Sequence, residues 1–192
     1  MLFESLDYVS RGGLKLAHAI QWFDVPVEGK VCVDVGASTG GFTDVLLKNG
    51  AARVYAVDVG HGQLDPVLRA DNRVIVMERV NARSLTPDMF PVKPDLAVVD
   101  VSFISLTLVL PAVFGVLADR GRVVALVKPQ FEAGRGKVGK KGIVKDPAVH
   151  AEVLKAIADF ITRSGWSLGS MIKSPITGSG GNFEFLADIR AC

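Results

Sequence analysis

Two charged residues stand directly behind aliphatic runs that read as buried strands: Asp100 after Leu96 to Val99, and Lys128 after Val123 to Val127. In an α/β sheet such residues gather at the carboxyl edge, where active sites form. Glu184 opens a further strand-like run, and Lys15 lies off the apolar stripe Leu16, Ala19, Ile20 and Phe23 of a short N-terminal helix. Acids and lysines at one cleft can move a proton, the lysine as base when its neutral form is favoured and the carboxylates as orienting groups. Each also has a plain structural role. Asp100 can cap the next helix, Lys128 can be a solvated strand end, Glu184 an edge charge and Lys15 an exposed helix residue.

A second constellation follows the run Val31 to Val35. There Gly36-Ala37-Ser38-Thr39-Gly40-Gly41 precedes the apolar helix that begins with Phe42, the position where α/β sheets receive nucleotide-like ligands. A phosphate-binding loop of the ATP or GTP type needs a lysine where Phe42 stands. A dinucleotide loop needs a glycine where Ser38 stands, so that the backbone can approach pyrophosphate. Asp34, just ahead of the turn, would repel a diphosphate but can hold the ammonium of an amino-acid ligand. Asp58 ends the run Arg53 to Val57, placed to accept the two hydroxyls of a ribose. Asn81, Ala82 and Arg83 close the next strand, where an adenine would lie.

These features point to S-adenosylmethionine, with a binding set of Asp34, Gly36, Ala37, Ser38, Thr39, Gly40, Gly41, Phe42, Asp58, Val59, Asn81, Ala82 and Asp100. The plain alternative is a turn serving only tight strand-to-helix packing.

The elements that position these residues are legible from periodicity. Fully apolar runs at Val31 to Val35, Arg53 to Val57, Val74 to Met77, Leu96 to Val99 and Val123 to Val127 suit parallel strands covered on both faces. Phe42, Val45 and Leu46 form a helical stripe that stops at Asn49-Gly50. Asp146-Pro147 starts a long helix that runs to Gly165. Leu168 to Ile172 and Phe183 to Ile189 read as two last strands joined by a loop. The pattern predicts a doubly wound α/β sheet with an antiparallel hairpin at its edge. One domain is expected over residues 1–192, with a lead-in at 1–30 and the core at 31–192.

Composition adds boundaries. A chain of 192 residues with a formal net charge of +2 offers no bulk attraction to nucleic acid, so any such contact must come from a local cluster. One exists from Lys128 to Lys145, where Arg135, Lys137, Lys140, Lys141 and Lys145 face only Glu132 among several glycines. That pattern is a flexible basic loop suited to phosphates, or simply a solvated loop. Trp22 and Trp166 lie near apolar stripes and are expected to pack. Cys32 and Cys192 suggest neither a disulfide nor a metal site, and His18, His61 and His150 lack metal-ligand spacing, so no metal is expected. Glu4 and Asp7 interrupt any signal peptide, and the apolar stretch Phe103 to Ala118 is shorter than the roughly 20 residues of a membrane span. A buried helix there and a cytoplasmic location without a membrane partner are expected.

The sequence resembles the hemolysin A-like members of the FtsJ-type RNA 2′-O-ribose methyltransferases from Tyr8 to Leu186. The resemblance lies in Ser10-Arg11-Gly12-Gly13-Leu14-Lys15-Leu16, the turn from Asp34 to Thr43, and Ala56-Val57-Asp58-Val59-Gly60 with Gly62-Gln63-Leu64. It continues in Asp100-Val101-Ser102-Phe103-Ile104-Ser105, Leu126-Val127-Lys128-Pro129-Gln130-Phe131-Glu132 and Gly181-Asn182-Phe183-Glu184. It implies a Rossmann-like class I methyltransferase fold, a mostly parallel seven-stranded sheet with an antiparallel C-terminal strand. It also implies S-adenosylmethionine-dependent methylation of ribosomal RNA, at cytidine riboses, on ribosomal subunits. The family's Lys-Asp-Lys-Glu catalytic set falls on Lys15, Asp100, Lys128 and Glu184.

Lys128 is the expected base for the ribose 2′-hydroxyl, with Lys15 as the second cation that disfavours its charge. Arg11, Arg135, Lys137, Lys140 and Lys141 are the expected RNA contacts. Methylation of base amino groups is disfavoured because the turn after the fourth strand reads Asp100-Val101-Ser102-Phe103, and carbon methylation lacks a suitable cysteine nucleophile. Members of the family carry an N-terminal S4-type RNA-binding domain, for which there is no room before Tyr8. A domain that binds S-adenosylmethionine but needs a further module to act is therefore the second reading. A membrane-lytic protein, as the family's traditional name suggests, is a third, without a spanning segment to support it.

Overall fold

The computed structural model describes residues 8–134 and 136–191. Aliphatic runs and amphipathic stretches alternate to give α1 (Gly12–Phe23), β1 (Val31–Val35), α2 (Gly41–Lys48), β2 (Arg53–Asp58), α3 (Pro66–Ala70), β3 (Val74–Glu78), β4 (Leu96–Val99), α4 (Leu106–Val116), β5 (Arg122–Val127), α5 (Pro129–Glu132), α6 (Pro147–Arg163), β6 (Trp166–Lys173) and β7 (Phe185–Ala191). The strands form one sheet of seven, in the order β3-β2-β1-β4-β5-β7-β6. β1 pairs in parallel with both β2 and β4, and β4 with β5, while β7 runs antiparallel to β5 and to β6. Strand order reverses between β1 and β4, and at such a switch point the carboxyl ends open a crevice for ligands.

Period-two alternation splits the core. Val33, Val35, Ala97, Val99, Val123, Ala125 and Val127 face one side, against Val109, Leu110 and Val113 of α4 and Val153, Ile157 and Ile161 of α6. Cys32, Leu96, Val98, Val124 and Leu126 face the other, against Leu16, Ala19 and Phe23 of α1 and Phe42, Val45 and Leu46 of α2. Each such aliphatic or aromatic side chain contributes about 1.5–3 kcal/mol of burial. Strands covered on both faces become the fully apolar runs seen in the sequence.

The C-terminal hairpin stands at the edge of the sheet as expected, antiparallel, with β7 against β5 and β6 outermost. Three expectations shift. Glu184 precedes β7 instead of opening it. The apolar stretch from Phe103 becomes helical only at Leu106, after Ser105 caps the helix by accepting from the Thr107 N–H, and Phe103 is 90% exposed. Trp166 packs as expected, stacked on Phe114 at 4.0 Å between centroids. Trp22 is 64% exposed, with the His18 ring 6.0 Å from its own; the stripe of α1 points Phe23 inward and turns its neighbour out.

Candidate functional site

The glycine turn is held by β2. Gly36 and Ala37 donate their N–H groups to the Val57 carbonyl at 2.9 and 3.0 Å, and Gly40 donates to the Ala37 carbonyl at 2.7 Å. Gly36 sits at φ 89°, where a Cβ would stand 2.5 Å from the Asp100 carbonyl oxygen. Only glycine allows both that conformation and that approach. Asp58 points back at the turn: its Oδ2 accepts from the Ser38 N–H at 2.8 Å and its Oδ1 from the Gly60 N–H at 2.6 Å. The remaining lone pairs of these two oxygens are still available to hydroxyl donors.

Two clefts open around the turn. One, of about 430 Å³, is walled by Asp58, Val59, Asn81, Ala82 and Phe103. The other, of about 300 Å³, is walled by Ser10, Arg11, Lys15, Ala37, Thr39, Gly41, Phe42 and Gly178. They share Gly36, Ser38 and Asp100. Of the residues expected at a cofactor, Asp34 and Gly40 are not on either wall. Gly40, at φ 97°, turns the chain against Leu64 and Leu68. The Asp34 carboxylate lies fully buried on β1, where its Oδ2 accepts from Thr43 Oγ1 at 2.7 Å and its Oδ1 has no hydrogen-bond partner among the described residues. Burial pushes its carboxyl up from 3.8 to about 7; the charges of Asp100 and Asp58 add to the rise, and the Thr43 hydroxyl opposes it. The carboxyl expected to hold an ammonium is thus embedded in the sheet, off both cleft walls.

The four charged residues form two ion pairs. Lys128 Nζ meets Asp100 Oδ1 at 2.5 Å and donates to Ser102 Oγ at 2.9 Å. Lys15 Nζ meets Glu184 Oε2 at 2.6 Å. Lys15, Lys128 and Glu184 are all buried. β4 and β5 are parallel neighbours, so Asp100 and Lys128 leave them at one edge. β7 is reversed and pairs Phe185 with Val127, which brings Glu184, at its start, to that same edge. Lys15 faces inward because it shares the spacing of Ala19 and Phe23, both buried; that i, i+4 series was the overlooked signal. Each ammonium thus has its own carboxylate. Buried pairs of this kind are costly to break, since removing one member leaves an uncompensated charge.

Ser102 also enters the site, lining the larger cleft and meeting Lys128 Nζ, and sequence reasoning passed over it. A lone hydroxyl has no periodicity to betray it.

The basic segment is more ordered than a free loop. Gly142 N–H donates to the Gly139 carbonyl at 2.8 Å, and the Asn182 side chain ties the segment down, accepting from Val144 N–H at 3.0 Å and donating to the Gly142 carbonyl at 2.9 Å. Lys140 and Lys141 are exposed, whereas Lys137 is paired with Glu152. Arg11 lines the smaller cleft and donates to the Thr177 carbonyl at 3.4 Å. Arg135 lies outside the described residues. Among the described residues no group of three His, Cys, Asp or Glu could hold a metal ion, and no helix is long and apolar enough to cross a membrane.

A family model described as FtsJ-like methyltransferase matches residues 8–190. The chain is 56% identical, over 96% of its length and 66% of the relative's, to a Bacillus subtilis protein that carries the provisional name rRNA methyltransferase YqxC. It is 49% identical, over 95% of its length and 68% of the relative's, to the 16S/23S rRNA (cytidine-2′-O)-methyltransferase TlyA of Mycobacterium tuberculosis. A Lactococcus lactis crystal structure, provisionally named a hemolysin, superposes with a TM-score of 0.95 at 48% identity, covering 97% of this chain and 90% of that one. The chain spans about two thirds of the length of these two curated relatives.

Proposed function

The chain belongs to the FtsJ-like methyltransferase family, and from that premise we propose that it transfers the methyl group of S-adenosylmethionine to a ribose 2′-hydroxyl of ribosomal RNA, on cytidine, in the cytoplasm. The observation that carries the reading is the 2.5 Å Lys128–Asp100 pair at the ends of adjacent strands, with Asp100 on the wall common to both clefts beside the glycine turn.

The residues present fit the cofactor. Asp58 offers a carboxylate to ribose hydroxyls, Val59, Ala82 and Phe103 give apolar surface for an adenine, and Gly36, Ser38 and Asp100 form the wall where the two clefts meet. When bound, S-adenosylmethionine supplies an electrophilic methyl on a positively charged sulfur. The protein's part is alignment and proton handling. With the methyl group supplied in line to the ribose oxygen, the hydroxyl proton would leave for Lys128 Nζ. Lys128 must be unprotonated at that moment, and Asp100 and Ser102, both in contact with Nζ, aim its remaining lone pair. Lys15, held by Glu184, lines the smaller cleft, and Arg11, Lys140 and Lys141, with Arg135 and Lys137, supply phosphate contacts.

Lys128→Ala tests this directly. Methyl transfer, followed by mass-spectrometric mapping of 2′-O-methyl marks on ribosomal subunits, should disappear while S-adenosylmethionine affinity stays within about twofold. Substantial residual turnover would refute Lys128 as base. No mark on any RNA from the intact chain, but a mark once an RNA-binding module is fused to it, would favour the reading in which the domain acts only with that module.

A further inference from the structure

The segments carrying the proton-handling groups, residues 100–106 after β4 and 128–132 after β5, run side by side and touch at three levels. Lys128 meets Asp100 and Ser102 at the first. The rings of Phe103 and Phe131 lie 4.9 Å apart at the second. At the third, Glu132 Oε2 accepts from Ser105 Oγ at 2.6 Å and Glu132 Oε1 accepts from the Leu106 N–H at 2.8 Å. The third level differs from the others in holding backbone. Leu106 begins α4, and its N–H has no partner within the helix; a carboxylate there is favoured by the helix dipole as well.

The stretch from Asp100 to Ser105 has no regular structure of its own. It is held at one end by β4 and at the other by the head of α4, and in between Phe103 takes φ 62° and is exposed. Asp100 itself is fixed by β4, its N–H donating to the Val35 carbonyl at 2.9 Å, so where the far end is pinned decides where Ser102 meets Lys128 and, through it, how Nζ is turned toward Asp100. Glu132 has both oxygens occupied and is largely shielded from water. Burial lifts its carboxyl above the usual range against the pull of the two donated hydrogen bonds.

We propose that Glu132 is a positioning residue for methyl transfer: by clamping α5 to the first residues of α4 it sets the loop bearing Ser102 against Lys128. The inference rests on the proton-handling roles given to Lys128 and Asp100 above. It assigns Glu132 no contact with either substrate. Misplacement of reacting groups by a fraction of an ångström acts on the chemical step more than on binding.

The test is single-turnover methyl transfer to ribosomal subunits by the full chain, with S-adenosylmethionine affinity by calorimetry and a melting curve for each variant. Glu132→Ala should lower the rate constant about tenfold while cofactor Kd and RNA KM stay within about twofold. Glu132→Gln keeps the shape and one acceptor oxygen, and should recover the rate to within about threefold of the parent. A rate within about twofold of the parent for Glu132→Ala, or a loss carried by Kd or KM instead, overturns the proposal. Where Glu132→Ala does not fold, Glu132→Asp decides in its place: its carboxylate is one methylene too short to meet both Ser105 Oγ and the Leu106 N–H from the present position of α5, and a rate within about twofold of the parent overturns the proposal. Lys128→Ala in the same assay separates the two ideas: turnover retained there defeats the base assignment, whereas a silent Lys128→Ala beside an unimpaired Glu132→Ala defeats only the clamp.

Discussion

Replacing Asp34 with Asn isolates the cost of its buried charge. The Asp34 carboxyl is raised from 3.8 to about 7, chiefly by burial. Below about pH 4 it is protonated in the folded and unfolded chain alike, so folding gains or loses nothing from the difference. Between about pH 4 and pH 7 the unfolded chain gives up this proton and the folded chain keeps it. More protons are bound when folded, and stability falls as pH rises. Above pH 7 the whole penalty is in force, about 4 kcal/mol at ~1.36 kcal/mol per pH unit. Asn stays neutral and can still accept from Thr43, at a pH-independent cost of about 1–3 kcal/mol for an amide nitrogen without a partner.

The quantity to read is therefore the change with pH in the difference between the two proteins, in which all other titrating groups cancel. Thermal melts without cofactor at pH 4.5 and pH 8 should show Asp34→Asn gaining on the parent by on the order of 10 °C between the two. Melting temperatures that keep a constant separation across that range would show that Asp34 ionises in the folded protein as readily as in water, and the account of its burial would be wrong.

Other expectations concern the rim of the site. A Cβ on Gly178 would overlap the end of the Glu184 side chain, so Gly178→Ala should lower the melting temperature by roughly 10 °C as the buried pair with Lys15 is disturbed. It should also lose about tenfold or more in methyl transfer as Glu184 is pushed off Lys15. An unaltered rate would mean that the pair is not needed. Neutralising the exposed Lys140 and Lys141 together should weaken RNA binding and reduce the slope of log affinity against log salt by about two; filter binding across a salt series checks it, and an unchanged slope removes both residues from the interface.

Much of this was legible in the chain. The apolar runs gave β1, β2, β4 and β5 to within a residue because strands covered on both faces have few polar positions to blur them. Asp100 and Lys128 could be located at strand ends for the same reason: the charge appears where the aliphatic run stops. What escaped depends on contacts between distant segments. The sequence shows an acid before a glycine turn but not that Asp34 points under it, toward Thr43, instead of toward the clefts. The motif placed Lys15, Asp100, Lys128 and Glu184 in one set, yet who pairs with whom follows from the insertion of β7 beside β5, and no local pattern encodes that insertion. Trp22 was misjudged by proximity to a stripe, where one residue along a helix turns a side chain by about a hundred degrees.

The wall shared by the two clefts has a mechanical consequence. In a workshop, two holes drilled with reference to the same face keep their spacing even when that face is set wrongly on the bench. Gly36, Ser38 and Asp100 are such a reference face, and the Asp100 carbonyl closes against Gly36 with no room for a single added carbon. Any displacement that carries β1 and β4 together would carry this shared wall as one piece, so in the proposed function the distance between cofactor and ribose is insulated from it. Motions that slide β4 relative to β1 are the ones that change that distance.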